Sequence, residues 1–218
     1  MSEALPHYRD PGERLADLIV HLTGLGLALV GGGMLLGLAI GFGHVERLTA
    51  ASIYAVGLLT MLALSTAYNF APASYQPLLR RFDHAGIFLM IAGSYTPFTT
   101  QYLEGAWSWG MTAAVWSIAG VGVLAKLFLP GLGRLFWIAV YLILGWLMVV
   151  ALEPLRQNLG LAPLILLGVG GLLYPLGVAS YIRNALRFRR AIWHGHVVVA
   201  AAVHWVAVLL AVISTPAS

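Results

Sequence analysis

Seven long apolar runs divide this chain, and they constrain its fold more than any other feature. An apolar helix of about 20 residues is long enough to cross a lipid bilayer, and in lipid each span must satisfy its own backbone hydrogen bonds, so every run is predicted to be an α-helix. The chain is therefore predicted to be an all-α integral membrane protein, a seven-transmembrane helix bundle. We divide it into a cytoplasmic N-terminal segment at residues 1–16 and a helical transmembrane domain at residues 17–214. The runs lie at residues 17–42, 48–70, 83–103, 107–128, 134–152, 160–181 and 193–214.

The composition agrees with a membrane protein. Hydrophobic residues make up 60% of the chain and charged residues only 9%, whereas about a quarter of a typical soluble domain is charged. There are no cysteines, so disulfides and a thiolate metal site are excluded. The formal charge of +4 lies mainly in loops that would face anionic lipid, so we expect the membrane, and not nucleic acid, to be its partner.

The basic residues are unequally divided between the two sides of the predicted bundle. Ten of the 12 lie in the N-terminal tail and in or at the edges of the second, fourth and sixth connections, which share one side, and only Arg47 and Arg156 lie on the other. An excess of Lys and Arg in short loops marks the cytoplasmic side. The N-terminus is therefore predicted to be cytoplasmic and the C-terminus to lie outside. Trp137 and Trp193 begin two spans from the inner side and are interpreted as interface anchors.

Polar side chains gather at the predicted cytoplasmic ends of four helices. On the first and second helices they are spaced four residues apart, which puts them on one helical face. Polar groups at this depth are costly unless they pair, bind an ion or line a wet cavity, although simple pairing of Asp17 with His21 at the interface is an alternative. His7 is interpreted as an ordinary surface residue. The predicted residues of a cytoplasm-facing polar cavity are Glu13, Asp17, His21, Ser65, Asn69, Asp83, Arg190 and His194.

Three segments of the chain carry a family resemblance. They read ERLADLIVH, then LSTAYN followed by RFDHAGIFLMIAGSYTPF, and finally AIWHGHVVVAAAVHW. In this order, within seven spans, they resemble the hemolysin III family, the bacterial relatives of the adiponectin and progestin receptors. The first segment departs from the family pattern, because Asp17 stands where the pattern has Asn. The resemblance covers nearly the whole chain.

The resemblance implies a multi-pass protein of the bacterial inner (plasma) membrane with a role in membrane lipid homeostasis or sensing. Its implied partner is membrane lipid, including a lipid ligand within the bundle. The sequence identifies no protein partner. Nothing in the spans supports pore formation, because their outer halves carry too few polar residues to line a wide channel.

The resemblance also implies a zinc ion, and this chain departs from the family pattern at two of its three histidine positions. The second-helix position is Asn69, and the H-x-x-x-H at the start of the seventh helix has become Arg190 and His194. Asp83 would hold or activate a water, and Ser65 would stabilise an oxyanion. A catalytic zinc normally takes three protein ligands, and a guanidinium stays protonated. We therefore expect zinc to bind weakly or not at all.

Two other functions stay open on the sequence alone. One is a zinc-dependent hydrolase of lipid amides with Asp83 and Ser65 as catalytic residues, whose metal would be held by His194, Asp83 and either His21 or Asn69. The other is an ion or proton-coupled transporter in which carboxylates and His21 relay charge, although no inverted repeat is evident.

Arg190 occupies the position that a zinc ligand has left, and its long side chain reaches inward from the membrane edge. We therefore expect its guanidinium to pair with Asp83, while Asn69 and His194 complete a hydrogen-bonded plug. The alternative is that Arg190 faces lipid headgroups beside its basic neighbours.

Overall fold

The computed structural model describes residues 7–129, 131–183 and 185–214, and this part of the chain is helical throughout apart from short connections. Residues 1–6 of the predicted N-terminal segment lie outside the described residues. Each of the seven apolar runs corresponds to a helical element, and the fifth continues through a 3₁₀ turn into a short helix. The elements are α1 (Pro11–Phe42), α2 (Val45–Phe70), α3 (Gln76–Gln101), α4 (Gly105–Phe128), α5 (Arg134–Trp146), the 3₁₀ turn (Leu147–Ala151), α6 (Leu152–Asn158), α7 (Leu161–Tyr181) and α8 (Arg189–Ser214).

Six of these elements are long and apolar enough to cross a membrane, when Arg134–Asn158 is counted as one. They are α1, α2, α4, the α5–α6 element, α7 and α8. The helix α3, which contains most of the predicted third span, is as long as α2 and α8 but more polar, and it is not among the six. The structure therefore confirms an all-helical protein, and six of its elements have the length and the hydrophobicity of membrane spans.

The helix α3 is enclosed by other helices. It packs along α2 and α4 and also contacts α8 and α5, while α1 lies between α2 and α8, and α7 packs on α8. Polar side chains on α3 therefore face protein partners more than lipid, and this reduces the cost of keeping them at membrane depth. This position accounts for the lower hydrophobicity of α3 without requiring it to leave the bundle.

Glycines let α2 and α3 approach closely. A Cβ atom at Gly57 would lie 3.3 Å from the carbonyl oxygen of Leu89, and one at Gly93 would lie 3.2 Å from that of Ile53. Small residues at such contacts are typical of membrane helix pairs, because association there depends on close van der Waals packing. The close contact fixes the polar end of α2 beside the beginning of α3.

The helix α1 begins at Pro11, six residues before the predicted span. Asp10 has an extended backbone, and its Oδ1 atom accepts a hydrogen bond of 2.9 Å from the backbone N–H of Glu13. An Asp N-cap followed by proline at the first helical position is a strong start signal. The early start places Glu13, Asp17 and His21 on successive turns of one regular helix.

Candidate functional site

Asp17 is a fully buried carboxylate at the centre of the polar end of the bundle. Its side chain is 0% exposed. Tyr8 donates a hydrogen bond of 2.6 Å from Oη to Asp17 Oδ2, and Nδ1 of His194 on α8 lies 2.6 Å from Asp17 Oδ1. Both carboxylate oxygens are therefore partnered, as a buried charge requires. Asp17 joins the N-terminal segment, α1 and α8.

His21 lies one turn further along α1 and connects Asp17 with α2. Its Nδ1 atom is 2.8 Å from the backbone oxygen of Asp17, and its Nε2 atom is 3.3 Å from Ser65 Oγ. A carbonyl oxygen only accepts, so Nδ1 carries the proton, and in the neutral ring Nε2 accepts from the serine hydroxyl. The His21 ring lies 4.3 Å from the His194 ring, centroid to centroid. The predicted pairing of Asp17 with His21 thus runs mainly through the Asp17 backbone.

Asn69 and Arg190 meet directly at the end of α2. Asn69 Oδ1 accepts from Arg190 Nη1 at 3.3 Å and from His7 Nε2 at 2.8 Å, and Asn69 Nδ2 donates to the Ser65 carbonyl oxygen at 2.9 Å. Arg190 also donates from Nε to the His7 carbonyl oxygen at 2.9 Å. The zinc-ligand positions that the resemblance implies are thus occupied by hydrogen-bonded partners.

The expected ion pair between Arg190 and Asp83 is wrong. Within the described residues Arg190 makes no salt bridge with Asp83, and its guanidinium contacts Asn69 and His7 instead. The N-terminal segment explains the difference, because it brings a carbonyl oxygen to the guanidinium. Arg190 is half-buried and bonded to protein atoms, and its contact with lipid headgroups stays a prediction.

His7 and Tyr8, at the start of the described part of the chain, cover the polar end of the bundle. The His7 ring packs edge-on against Tyr68, and the Tyr8 ring stacks on Phe70. Burial lowers the pKa of His7 below its ordinary value, although its hydrogen bond to Asn69 acts in the opposite direction. Burial, followed by the hydrogen bond to Asp17, raises the pKa of Tyr8. His7 is therefore a neutral, bonded side chain, and its interpretation as an ordinary surface residue was wrong.

We call His7, Tyr8, Asp17, Asn69 and Arg190 the polar plug. Glu13 lies beside it and fastens the α7–α8 connection, because its Oε1 atom accepts from the Phe188 backbone N–H at 3.3 Å.

A cavity of about 720 Å³ lies beneath the polar plug. Of the eight predicted cavity residues, His21, Ser65, Asp83 and His194 line it. Glu13 and the plug residues Asp17, Asn69 and Arg190 do not line it. The cavity therefore lies deeper in the bundle than the sequence predicted. Its deeper walls are apolar and come from α3, the α5–α6 element, α7 and α8; examples are Met90, Ile91, Phe98, Trp146, Leu164 and Leu167.

Asp83 is half-buried at the polar end of the cavity and lies beside Ser65. Four cationic side chains line the same cavity: Arg80, Arg81, Lys126 and Arg134. In the sequence these four residues indicate only membrane topology, and Tyr8 was not predicted to be a partner of the polar end. The signal available for Tyr8 was weak, because a contact between a chain terminus and a helix has no periodic pattern.

The residues at the implied zinc position do not fit the ion. An amide and a protonated guanidinium replace two imidazoles, and the guanidinium is hydrogen-bonded to the amide oxygen that would have to serve as a ligand. A different set comes together instead. Asp17, His21 and His194 each offer a ligand atom, and these atoms lie within 4.8 Å of one another.

The fold and this site define a multi-pass helical membrane protein with a buried Asp–His cluster at one end of the bundle and a cavity beneath it. A family model described as "Haemolysin-III related" matches residues 13–205. The chain belongs to this family, as its three motifs predicted.

Two bacterial relatives match nearly the whole chain, and a human relative matches about three quarters of it. The "Hemolysin-3 homolog" of Bacillus subtilis (strain 168) is 32% identical over 205 residues, which is 94% of this chain and 96% of the relative. The "Hemolysin-3" of Bacillus cereus is 32% identical over 204 residues, 93% of each chain. The human "Monocyte to macrophage differentiation factor" is 27% identical over 170 residues, 75% of this chain and 70% of the relative.

Proposed function

We propose that this chain is a lipid-binding membrane protein that holds an acyl lipid in its internal cavity, and that lipid occupancy serves membrane lipid homeostasis or sensing. The observation that carries the proposal is the cavity of about 720 Å³, which joins apolar walls to a polar end at Ser65, Asp83 and His194. Ligand sites typically have volumes of about 300–1,000 Å³, mostly apolar linings and a few convergent polar groups. An acyl chain with a polar headgroup matches this division.

Access to the cavity from the bilayer is supported by the packing of α5. This helix touches α3 and α7 at few points, whereas α2 and α3 contact each other along their lengths. Exposed Arg80 and Arg134 also line the cavity, so it reaches the surface at the end where α3 and α5 begin. A lipid could enter between these helices without passing the polar plug.

The proposed topology has seven crossings, with α3 as the crossing that the other helices shield. The N-terminus lies in the cytoplasm and the C-terminus outside, in a bacterial inner membrane. The support is the division of the basic residues, ten of 12 on one side. The cavity then opens toward the cytoplasmic leaflet.

The test is lipid binding by a cavity-filling variant. Gly168 lines the cavity, and a Cβ atom there would meet nothing within 4 Å, so Gly168→Leu adds volume inside the cavity without a clash at Cβ. Gly33 on α1 also has open space but lies outside the cavity, so Gly33→Leu is the matched control. We expect native mass spectrometry to show bound lipid for the unaltered protein and Gly33→Leu and much less for Gly168→Leu. Equal lipid occupancy in all three would overturn the proposal.

A metal-dependent lipid amide hydrolase is the second candidate, and the cluster of Asp17, His21 and His194 favours it. A divalent metal held there would supply an activated water beside Ser65. Metal analysis of protein purified without chelators, with Asp17→Asn as the comparison, tests this candidate. A stoichiometric metal that Asp17→Asn removes, together with hydrolysis of a lipid amide in detergent, would support it over simple lipid binding.

A further inference from the structure

Two hydrogen-bond donors on the cavity wall, the Lys126 ammonium and the buried Trp137 indole N–H, lack an acceptor in the part of the chain that the structure describes. Lys126 on α4 is 6% exposed, and its ammonium lies 4.3 Å from the centroid of the Trp137 ring. No described residue accepts a hydrogen bond from this ammonium, and the Asp83 carboxylate, which lines the same cavity, interacts with it electrostatically without forming a salt bridge. Trp137 on α5 is 5% exposed, and its indole N–H is buried without a partner. Both residues line the cavity.

The absence of an acceptor for the Lys126 ammonium and the Trp137 indole N–H, within the described residues, needs an explanation. Buried polar groups are almost always hydrogen-bonded, and an ammonium at this depth that has no hydrogen-bond acceptor is costly. The contact between the ammonium and the Trp137 ring offsets part of that cost. The cation–π contact does not give either group a hydrogen-bond acceptor. The ring face attracts the ammonium by electrostatics, and the indole N–H lies at the ring edge, away from that contact.

Two simpler roles for Lys126, a topology signal and a helix C-cap, do not explain its burial beside Trp137. Basic residues that set membrane topology lie at the surface, as Arg80, Arg81 and Arg134 do, whereas Lys126 is buried. A lysine in the last turn of a helix can also bond the final carbonyl groups, but Lys126 makes no such bond to a described residue, and it is Arg81 Nη1 that donates to the Leu127 carbonyl oxygen, at 3.2 Å. Neither role provides an acceptor for the Trp137 indole.

The surrounding charge favours an anion. Four cations line the cavity and only one carboxylate, that of Asp83, lies among its lining residues. We propose that the lipid held in the cavity carries an anionic oxygen group, phosphate or carboxylate, which accepts from both the Lys126 ammonium and the Trp137 indole N–H. The proposal rests on the proposed function, because it identifies the class of lipid that the same cavity holds. The acyl chain then extends along the apolar wall formed by residues such as Met90 and Leu167.

The position of Lys126 and Trp137 in the bundle agrees with the leaflet that would supply an anionic lipid. The C-terminal end of α4 lies on the same side of the bundle as the beginnings of α3 and α5, the side predicted to be cytoplasmic. Anionic lipids of the cytoplasmic leaflet are attracted to basic residues at this surface. The exposed arginines attract the headgroup, and the buried pair binds it.

The experiment compares lipids with the same chains and different headgroups, by native mass spectrometry in a neutral detergent. One pair is dioleoyl phosphatidic acid and dioleoylglycerol, and the other is oleate and oleyl alcohol, so that phosphate and carboxylate are tested separately. Lys126→Met removes the charge, Lys126→Arg keeps it, and Trp137→Phe removes only the indole N–H. Arg183→Met is the matched control, because Arg183 is an exposed cation at the same end and does not line the cavity.

We expect the unaltered protein to bind at least one of the anionic lipids about tenfold or more tightly than its neutral partner. This preference should disappear in Lys126→Met, shrink in Trp137→Phe and persist in Lys126→Arg and Arg183→Met. Loss of binding to the neutral lipid as well in Lys126→Met would indicate misfolding, and Trp137→Phe then decides, since an unchanged preference there would overturn the shared anion site. Equal binding of anionic and neutral lipids would overturn this inference but leave the proposed function. Binding of neither would overturn the proposed function itself.

Discussion

Replacement of Arg190 by alanine tests the account of the polar plug. In the structure the guanidinium bonds to the His7 carbonyl oxygen at 2.9 Å and to Asn69 Oδ1 at 3.3 Å. The substitution removes both bonds and leaves the His7 carbonyl oxygen and one acceptor position of Asn69 without their donor. We therefore expect Arg190→Ala to lower the free energy of unfolding.

The magnitude follows from the number and the length of these bonds. A hydrogen bond to a charged group contributes about 1.5–3 kcal/mol in soluble proteins, but interhelical bonds in a membrane protein average about 0.6 kcal/mol. Arg190 is half-buried and its bond to Asn69 is long. We expect a loss of about 1–2 kcal/mol, of which about 0.5–1 kcal/mol is coupling between Arg190 and Asn69.

A double-mutant cycle in detergent distinguishes the partner of Arg190 in the structure, Asn69, from the partner expected from the sequence, Asp83. Unfolding by increasing denaturing detergent is measured for Arg190→Ala, Asn69→Ala and the double variant, and the same cycle is repeated with Asp83→Asn. Coupling is expected with Asn69 and close to zero with Asp83. A larger coupling with Asp83, or an unchanged unfolding free energy in Arg190→Ala, would refute the plug as described.

Three further predictions concern zinc, pH and topology. Asn69→His combined with Arg190→His restores the imidazoles that the family pattern implies, and should raise zinc content toward one ion per chain; no gain over the unaltered protein would contradict this. Burial lowers the pKa of His7 in the folded state, so the unfolded chain takes up the proton first, and stability should fall as pH drops below about 6.5. His7→Gln should show a shallower decrease in unfolding free energy between neutral pH and pH 5 or so, and an identical pH profile would count against the neutral His7. A topology reporter fused after Ser218 should be active only outside the cytoplasm, and activity in the cytoplasm would reverse the orientation.

The helices were predictable from the sequence because lipid leaves the backbone few alternatives. Every apolar run corresponds to a helical element, and the errors lie at the boundaries. The helix α1 starts at Pro11 and α3 at Gln76, each six or seven residues before the predicted span. The start of α1 carries charged residues and an Asp10 cap, and the start of α3 carries Gln76, Arg80 and Arg81, so hydropathy alone does not detect these turns.

The polar end of the bundle was predictable as a location but not as a set of partners. The spacing of four residues placed Asp17 with His21 and Ser65 with Asn69, and the structure brings these pairs together. The partner of Arg190 could not be predicted, because it depends on where the N-terminal segment folds. His7 and Asn69 are 62 residues apart in the chain, and no periodic pattern connects them.

The donors on the cavity wall could not be predicted from the sequence, for a different reason. Lys126 was counted as a topology signal and Trp137 as an interface anchor, and both interpretations follow from composition at helix ends. Only the packed structure shows that both side chains are buried against each other on a cavity wall. Burial of a surface-type residue depends on its three-dimensional neighbours.

Photo-crosslinking from a lipid with a reactive group on its acyl chain tests the central claim most directly. Met90 is 3% exposed and lines the cavity, whereas Val121 on α4 is 67% exposed on the outside of the bundle. A lipid in the cavity should label Met90 as well as Val121, and Gly168→Leu should reduce the Met90 label while leaving the Val121 label unchanged. Labelling of Val121 with none at Met90 would contradict the claim that the cavity holds a lipid.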